Sequence, residues 1–345
     1  MSSYAFWNNK GGVGKSFLCF VAACEYAHRH PDTDVYVIDL CPQANVSETL
    51  LGGYITSPKK PIHSLNTKTP RATVAGYLEA RLNSPFRMID DVSPYLCEPK
   101  EFNPNIPENL RLICGDNLLE IISEAIRQTS QLSIPIDAWK QVLTWVQDLT
   151  VALRKLSGDR DTLFVIDCNP SFAIYTQLAL VAAEGVVVPF TADDSSRRAI
   201  ENVVALLYGL SDPHTAAYAR ISFAKRAKED GVPVPKLHTF VSNRMTMYEG
   251  EASKAFKGVN KTIKQTMDDI YRNHRHIFAN PKESPSNTFI EIPDYHSACV
   301  VAATTGTPLH KLKPGPKKIA GEQVQLNPGP LDRYRDALEQ FVNCL

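Results

Sequence analysis

Residues 8–16 read Asn-Asn-Lys-Gly-Gly-Val-Gly-Lys-Ser. They close an apolar run at 4–9, YAFWNN, that reads as a strand, and they open a helical pattern from Lys15 to about His30. A glycine-rich turn ending in Gly-Lys-Ser between a strand and a helix constrains the chain more than any other feature. Its backbone N–H groups converge at a helix N-terminus, where the helix dipole favours negative charge, so the segment suits a phosphate. The general pattern of such loops is G-x-x-x-x-G-K-[ST]. Gly14, Lys15 and Ser16 supply its end, but the first glycine falls on Asn9, and a second lysine, Lys10, stands five residues before Lys15.

A strand–loop–helix unit of this kind needs a parallel sheet around it, and the rest of the chain supplies one. DVYVIDL (34–40), TLFVIDC (162–168), GVVVPF (185–190) and KLHTFVS (236–242) are short and apolar on both faces, as buried parallel strands are. Helical patterns lie between them at 72–83, 116–128, 136–157, 172–183, 194–210 and 252–275. The alternation predicts an α/β fold: a doubly wound, mostly parallel sheet flanked by helices. We read 1–345 as a single domain. The Pro-rich stretch from Gly52 to Pro107 is expected to be an insertion of long loops around one helix, and 311–330 an extended connector.

Composition narrows the class further. Lys+Arg and Asp+Glu balance at 37 each, so nothing global draws the chain to nucleic acid and any such binding needs a local patch. No apolar run is long enough to span a membrane, and the first residues lack the pattern of a secretory signal. The eight cysteines show no C-x-x-C pair, and Cys19, Cys24 and Cys168 sit in apolar runs. Buried, reduced thiols in a cytoplasmic protein are expected.

The octet from Asn9 to Ser16 resembles the deviant phosphate loop of the ParA/MinD family of P-loop ATPases, in which the additional lysine is the signature residue. The resemblance continues through VIDLCPQAN (37–45), FVIDCNPS (164–171), VVVPFTADDSSRRAIENV (186–203), FVSNRM (240–245) and AATTGTPLHKL (302–312). Because the sequence opens on its first strand, the helix-turn-helix extension of the longer partition proteins is not expected. The resemblance implies ATP and Mg²⁺ as ligands and a homodimer that forms around ATP. Lys10, Gly11, Gly12, Val13, Gly14, Lys15, Ser16 and Phe17 would hold the phosphates, Ser16 and Asp167 the Mg²⁺, and Asn243 and Arg244 the adenine. Lys15 would reach the β- and γ-phosphates. Lys10 would reach those of the partner, as an arginine finger does, which leaves it unpaired in a monomer.

One departure bears on catalysis. In the family's D-x-D-P-Q segment the second aspartate activates the attacking water, and here that position is Cys41 while Asp39 is kept. A thiol accepts hydrogen bonds weakly. Either hydrolysis is slow, with Asp39 nearby, or another acid such as Asp193 or Asp194 takes over; Cys41 as a redox switch is a further option. The segment 253–275 carries Lys254, Lys257, Lys261, Lys264, Arg272 and Arg275 on one side of a predicted helix, interrupted by Asp268, with Phe256, Val259, Ile263, Met267 and Ile270 beside them. Such a stripe suits a DNA backbone without reading bases. The last helix is amphipathic through Leu331, Tyr334, Leu338, Phe341 and Leu345, but lacks the basic flank of a membrane anchor and is expected to pack on the sheet. Three functions follow: a slow ATPase that positions DNA or protein cargo with a stimulating partner, an ATP-locked dimeric switch, or a reductase with a cluster bridged by surface cysteines such as Cys97 and Cys114.

Overall fold

The computed structural model describes residues 2–53, 61–209, 222–245, 247–248, 251–252 and 254–345; the side chains at 194, 244–248, 251–252 and 254–257 lie outside that description. The strands in chain order are β1 (Ser2–Phe6), β2 (Thr33–Leu40), β3 (Leu96–Cys97), β4 (Leu110–Ile113), β5 (Asp161–Cys168), β6 (Gly185–Phe190), β7 (Lys236–Met245), β8 (Met247–Tyr248), β9 (Glu251–Ala252), β10 (Ile290–Pro293), β11 (Gly315–Ile319) and β12 (Glu322–Leu326). Eight of them form one sheet in the order β10-β7-β6-β1-β5-β2-β4-β3. All its pairs are parallel except β3 with β4. The expected doubly wound sheet is present, and it is wider than the sequence suggested, with β4 and β3 added at one edge and β10 at the other.

Both faces of the sheet are buried, and the period of two along each strand divides the core. Phe6, Val37, Val165 and Val187 face one helical layer with Leu18 and Phe20 of helix α1 (Lys15–Arg29). Ala5, Ile38, Ile166 and Val186 face the other. Parallel strands need this coverage on both sides. The C-terminal helix Pro328–Val342 closes the first layer, burying Leu331, Tyr334, Leu338 and Phe341 beside α1, so the expectation that it packs on the sheet holds. Among the described residues no helix is long and apolar enough to cross a membrane.

Three sequence expectations need correction. The region 136–157 is two helices, Ala138–Leu143 and Trp145–Leu156. The break is at Thr144, whose hydroxyl donates to the Gln141 carbonyl, a back-bond that bends helices. The stretch from Gly52 to Pro107 holds more than one helix: Pro61–Asn66, Val74–Asn83 and Pro99–Phe102 precede or flank the short strand β3. The connector 311–330 contains the hairpin β11–β12, turned at Ala320 and Gly321, both with positive φ, as a two-residue hairpin loop requires.

Candidate functional site

The site is built where the central strands end. Register places Phe6 beside Asp167 and Asp167 beside Asp39, so β1, β5 and β2 finish at one level, and the loop leaving β1 lies over the two carboxylates. Gly12 and Gly14 have φ of 76° and 80°, left-handed conformations that glycine adopts without strain. Gly14 is the N-cap residue of α1, so the loop ends with its N–H groups at a helix N-terminus. The Lys15 ammonium is buried and donates to the carbonyls of Asn8 and Lys10 at 3.2 and 2.9 Å. Burial lowers its pKa, and the nearby Asp167 offsets part of that shift. Asn243 donates from Nδ2 to the Val13 carbonyl at 2.9 Å, bracing the loop from β7.

Asp167 and Asp39 are both fully buried but differ in occupancy. Asp39 accepts from the Cys41 N–H at 3.0 Å, the Ser47 N–H at 3.2 Å and the Ser47 hydroxyl at 2.6 Å. These bonds pin helix α2 (Asn45–Leu50) to the end of β2 and make Asp39 a positioning group. Ser47 Oγ also accepts from the Gly115 N–H at 2.9 Å. A Cβ on Gly115 would stand 2.7 Å from Asp39 Oδ2, so only glycine fits this close approach. Asp167 accepts from the Cys19 thiol, 3.6 Å from Oδ1, and its buried Oδ2 has no hydrogen-bond partner among the described residues. Burial first, and the Asp39 carboxyl next, push the Asp167 pKa up, with Ser16 and Lys15 offsetting part of the rise. An orphaned, buried carboxylate oxygen beside the hydroxyl of Ser16 fits a hard cation with oxygen ligands.

A cavity of about 430 Å³ opens above this floor, lined among others by Gly14, Lys15, Ser16, Phe17, Cys41 and Gln43. Asn45, Glu48 and Thr49 of α2 form one wall. Neither Asp39 nor Asp167 reaches its lining, nor does Asn243. Cys41 is buried, and burial, followed by Asp39, pushes its thiol up to about 12. It is therefore a protonated donor, and it donates to Gln43 Oε1 at 2.9 Å.

The monomer does not leave Lys10 unpaired. Its ammonium binds the Asp193 carboxylate, with Thr191 Oγ1 at 3.1 Å and Ser196 Oγ at 3.2 Å completing its shell. The expectation from sequence missed this because Asp193 is 183 residues away, carried by the turn after β6. Asp193 also caps helix Asp194–Tyr208 by accepting from the Ser196 N–H. Burial would raise its pKa, but the bonds from Lys10, Thr191 and Ser195 outweigh it and hold the carboxyl below its usual range. The Asp194 and Arg244 side chains lie outside the described residues.

Elsewhere the candidates separate. Cys97 and Cys114 are buried, so neither is the surface thiol that a bridging cluster needs. Among the described residues, no group of three or more His, Cys, Asp or Glu side chains is placed to hold a metal. Helix Lys254–His274 is present and buries Ile263 and Met267. Of its cations, Lys261 is exposed, Lys264 lies over the Phe289 ring and Arg272 pairs with Asp269. Arg275 falls beyond the helix and stacks on Tyr271; the Lys254 and Lys257 side chains are outside the described residues. Asp268 accepts from Ser284 and Ser286.

Compared by sequence, the chain matches no protein-family model and no curated protein. Compared by structure, it resembles an ATP complex of a McdA variant from Cyanothece, at 14% identity over 99% of this chain and 96% of that one, with a TM-score of 0.57. It also resembles a plasmid partition protein from Borrelia burgdorferi, at 15% identity over 100% and 99% of the two chains, with a TM-score of 0.51. The fold is that of the ParA/MinD-type P-loop ATPases. Cobyrinic acid a,c-diamide synthase from Mycobacterium smegmatis, with bound ADP and magnesium, shares it at 19% identity over 88% and 91% of the chains, with a TM-score of 0.50.

Proposed function

We propose that this chain is a ParA-like, ATP-binding protein that pairs with a second copy around ATP, hydrolyses it slowly and positions or segregates a DNA or protein cargo. The observation that carries the reading is the loop itself: two lysines, Lys10 and Lys15, on one glycine turn over a buried carboxylate pair. The McdA and partition-protein neighbours support the positioning role, and the nucleotides in two of the neighbours support ATP and Mg²⁺. The loop N–H groups and Lys15 hold the phosphates. Ser16 and Asp167 hold Mg²⁺, which neutralises charge on the β- and γ-phosphates. Lys10 leaves Asp193 and reaches the partner's phosphates, which makes dimerisation depend on ATP. The cations of helix Lys254–His274 give a non-specific DNA contact that dimerisation doubles.

Cys41 favours a second reading, an ATP-locked switch with little turnover, because no carboxylate stands at its position. Both readings are tested by measuring MgATP binding and turnover with and without non-specific DNA, against Lys15→Ala. Binding with turnover that rises with DNA is expected for the positioning ATPase. Tight binding with turnover at the Lys15→Ala level points to the switch, and no ATP binding sinks both.

A further inference from the structure

The attacking water in phosphoryl transfer needs a group that orients it, and the carboxylates near this cavity are unequally placed to do so. Asp39 spends its oxygens on Cys41 and Ser47, Asp167 is sealed beneath the loop, and Asp193, on the turn after β6, does not reach the cavity lining. Glu48 lines the cavity one helical turn further along α2. Gln43 leaves the β2 end directly, is exposed, and shares the cavity lining with Gly14, Lys15 and Ser16. Its amide is not free to spin, because the Cys41 thiol donates to Oε1 at 2.9 Å. A protonated thiol is a donor here, so it selects the carbonyl end of the amide and directs Nε2 away from itself.

We propose that Gln43 orients the water that attacks the γ-phosphate, and that Cys41 is the positioning residue that holds the Gln43 amide in its working orientation. This rests on the ATPase reading above. The carbonyl of Gln43 has a second lone pair, which accepts a hydrogen bond from the water, while Nε2 donates to a γ-phosphate oxygen. Side-chain amides perform this task in small GTPases. An amide cannot take the proton. The water oxygen forms the new bond to the γ-phosphorus, and the bond to the β,γ-bridging oxygen breaks with its electron pair passing to ADP. The proton of the water passes to a γ-phosphate oxygen, giving ADP and inorganic phosphate. The residue in the aspartate's place thus acts through its neighbour and not as a base.

The test is steady-state turnover of MgATP by the full chain, with ATP affinity and ATP-dependent dimerisation measured on the same samples. Gln43→Ala is expected to lower kcat by about 100-fold, the scale of one lost transition-state contact, with ATP affinity and dimerisation retained. Cys41→Ala is expected to lower kcat by about tenfold, while Cys41→Ser, which keeps a donor, restores most of it. A purely structural Cys41 would not show that split between kcat and binding. The proposal is overturned if Gln43→Ala turns over like wild type, if Glu48→Gln loses more kcat than Gln43→Ala, or if Cys41→Ser falls as far as Cys41→Ala. Wild-type turnover no higher than Lys15→Ala, with ATP binding intact, also overturns it and leaves the ATP-binding dimer standing. Loss of ATP binding in the wild type sinks the underlying reading instead.

Discussion

Ser47→Ala removes the hydroxyl that ties the site's floor together. That hydroxyl donates to Asp39 Oδ2 at 2.6 Å and accepts from the Gly115 N–H at 2.9 Å, all within a fully buried region. A hydrogen bond to a charged group contributes about 1.5–3 kcal/mol, and leaving a buried donor unsatisfied costs about 1–3 kcal/mol more. Alanine favours helix slightly at this position of α2, so the net loss is about 3–4 kcal/mol. A chain of this length unfolds with an entropy of about 0.7 kcal/mol/K, which converts the loss to a Tm lower by about 5 °C. Thermal and urea unfolding of Ser47→Ala measure it, with the exposed Ser64→Ala as a control expected within about 0.5 kcal/mol of wild type. Because Asp39 also anchors the Cys41 N–H, MgATP affinity is expected to fall along with stability. A Ser47→Ala protein within about 0.5 kcal/mol of wild type would refute the claim that this network holds α2 against β2.

Two other outcomes follow from named contacts. Asp193→Asn keeps a capping side chain but removes the charge that holds Lys10. ATP-dependent dimerisation should tighten by up to about fivefold, the scale of a part-exposed ion pair, and an unchanged or weaker dimer would show that the two engagements do not compete. Glu25 is held at about 2: burial raises it, but bonds from His310 and Arg29 outweigh that. A carboxyl depressed on folding stabilises above its unfolded value and loses that contribution as pH falls toward 2. Glu25→Gln should therefore narrow the Tm difference between pH 6 and pH 3, and an identical difference would count against the pairing.

The phosphate loop and central strands were legible because their signals are local. Gly14-Lys15-Ser16 lies within one turn of chain, and DVYVIDL and TLFVIDC are continuous apolar runs. The edges of the sheet were not. β4 carries Arg111 and follows a Pro-rich stretch, β10 is Ile-Glu-Ile-Pro, and β3 is two residues, so none shows an uninterrupted apolar run. At the site, Ser16 and Phe17 line the cavity, while the partners of Lys10 and Asn243 come from distant segments. Gly115 carried a readable signal, a glycine directly after Leu112-Ile113-Cys114, but its reason is the Asp39 carboxylate pressed against it.

If Lys10 acts in trans, its loss changes the molar mass of the protein in solution with MgATP. Light scattering of wild type, Lys10→Ala and Lys15→Ala, each with MgATP and with MgADP, separates the roles of the two lysines. A dimer is expected only for wild type with MgATP, with Lys10→Ala monomeric yet still binding ATP, and Lys15→Ala binding poorly. A Lys10→Ala protein that dimerises on MgATP as wild type does, or a wild type that stays monomeric when saturated with MgATP, would contradict it.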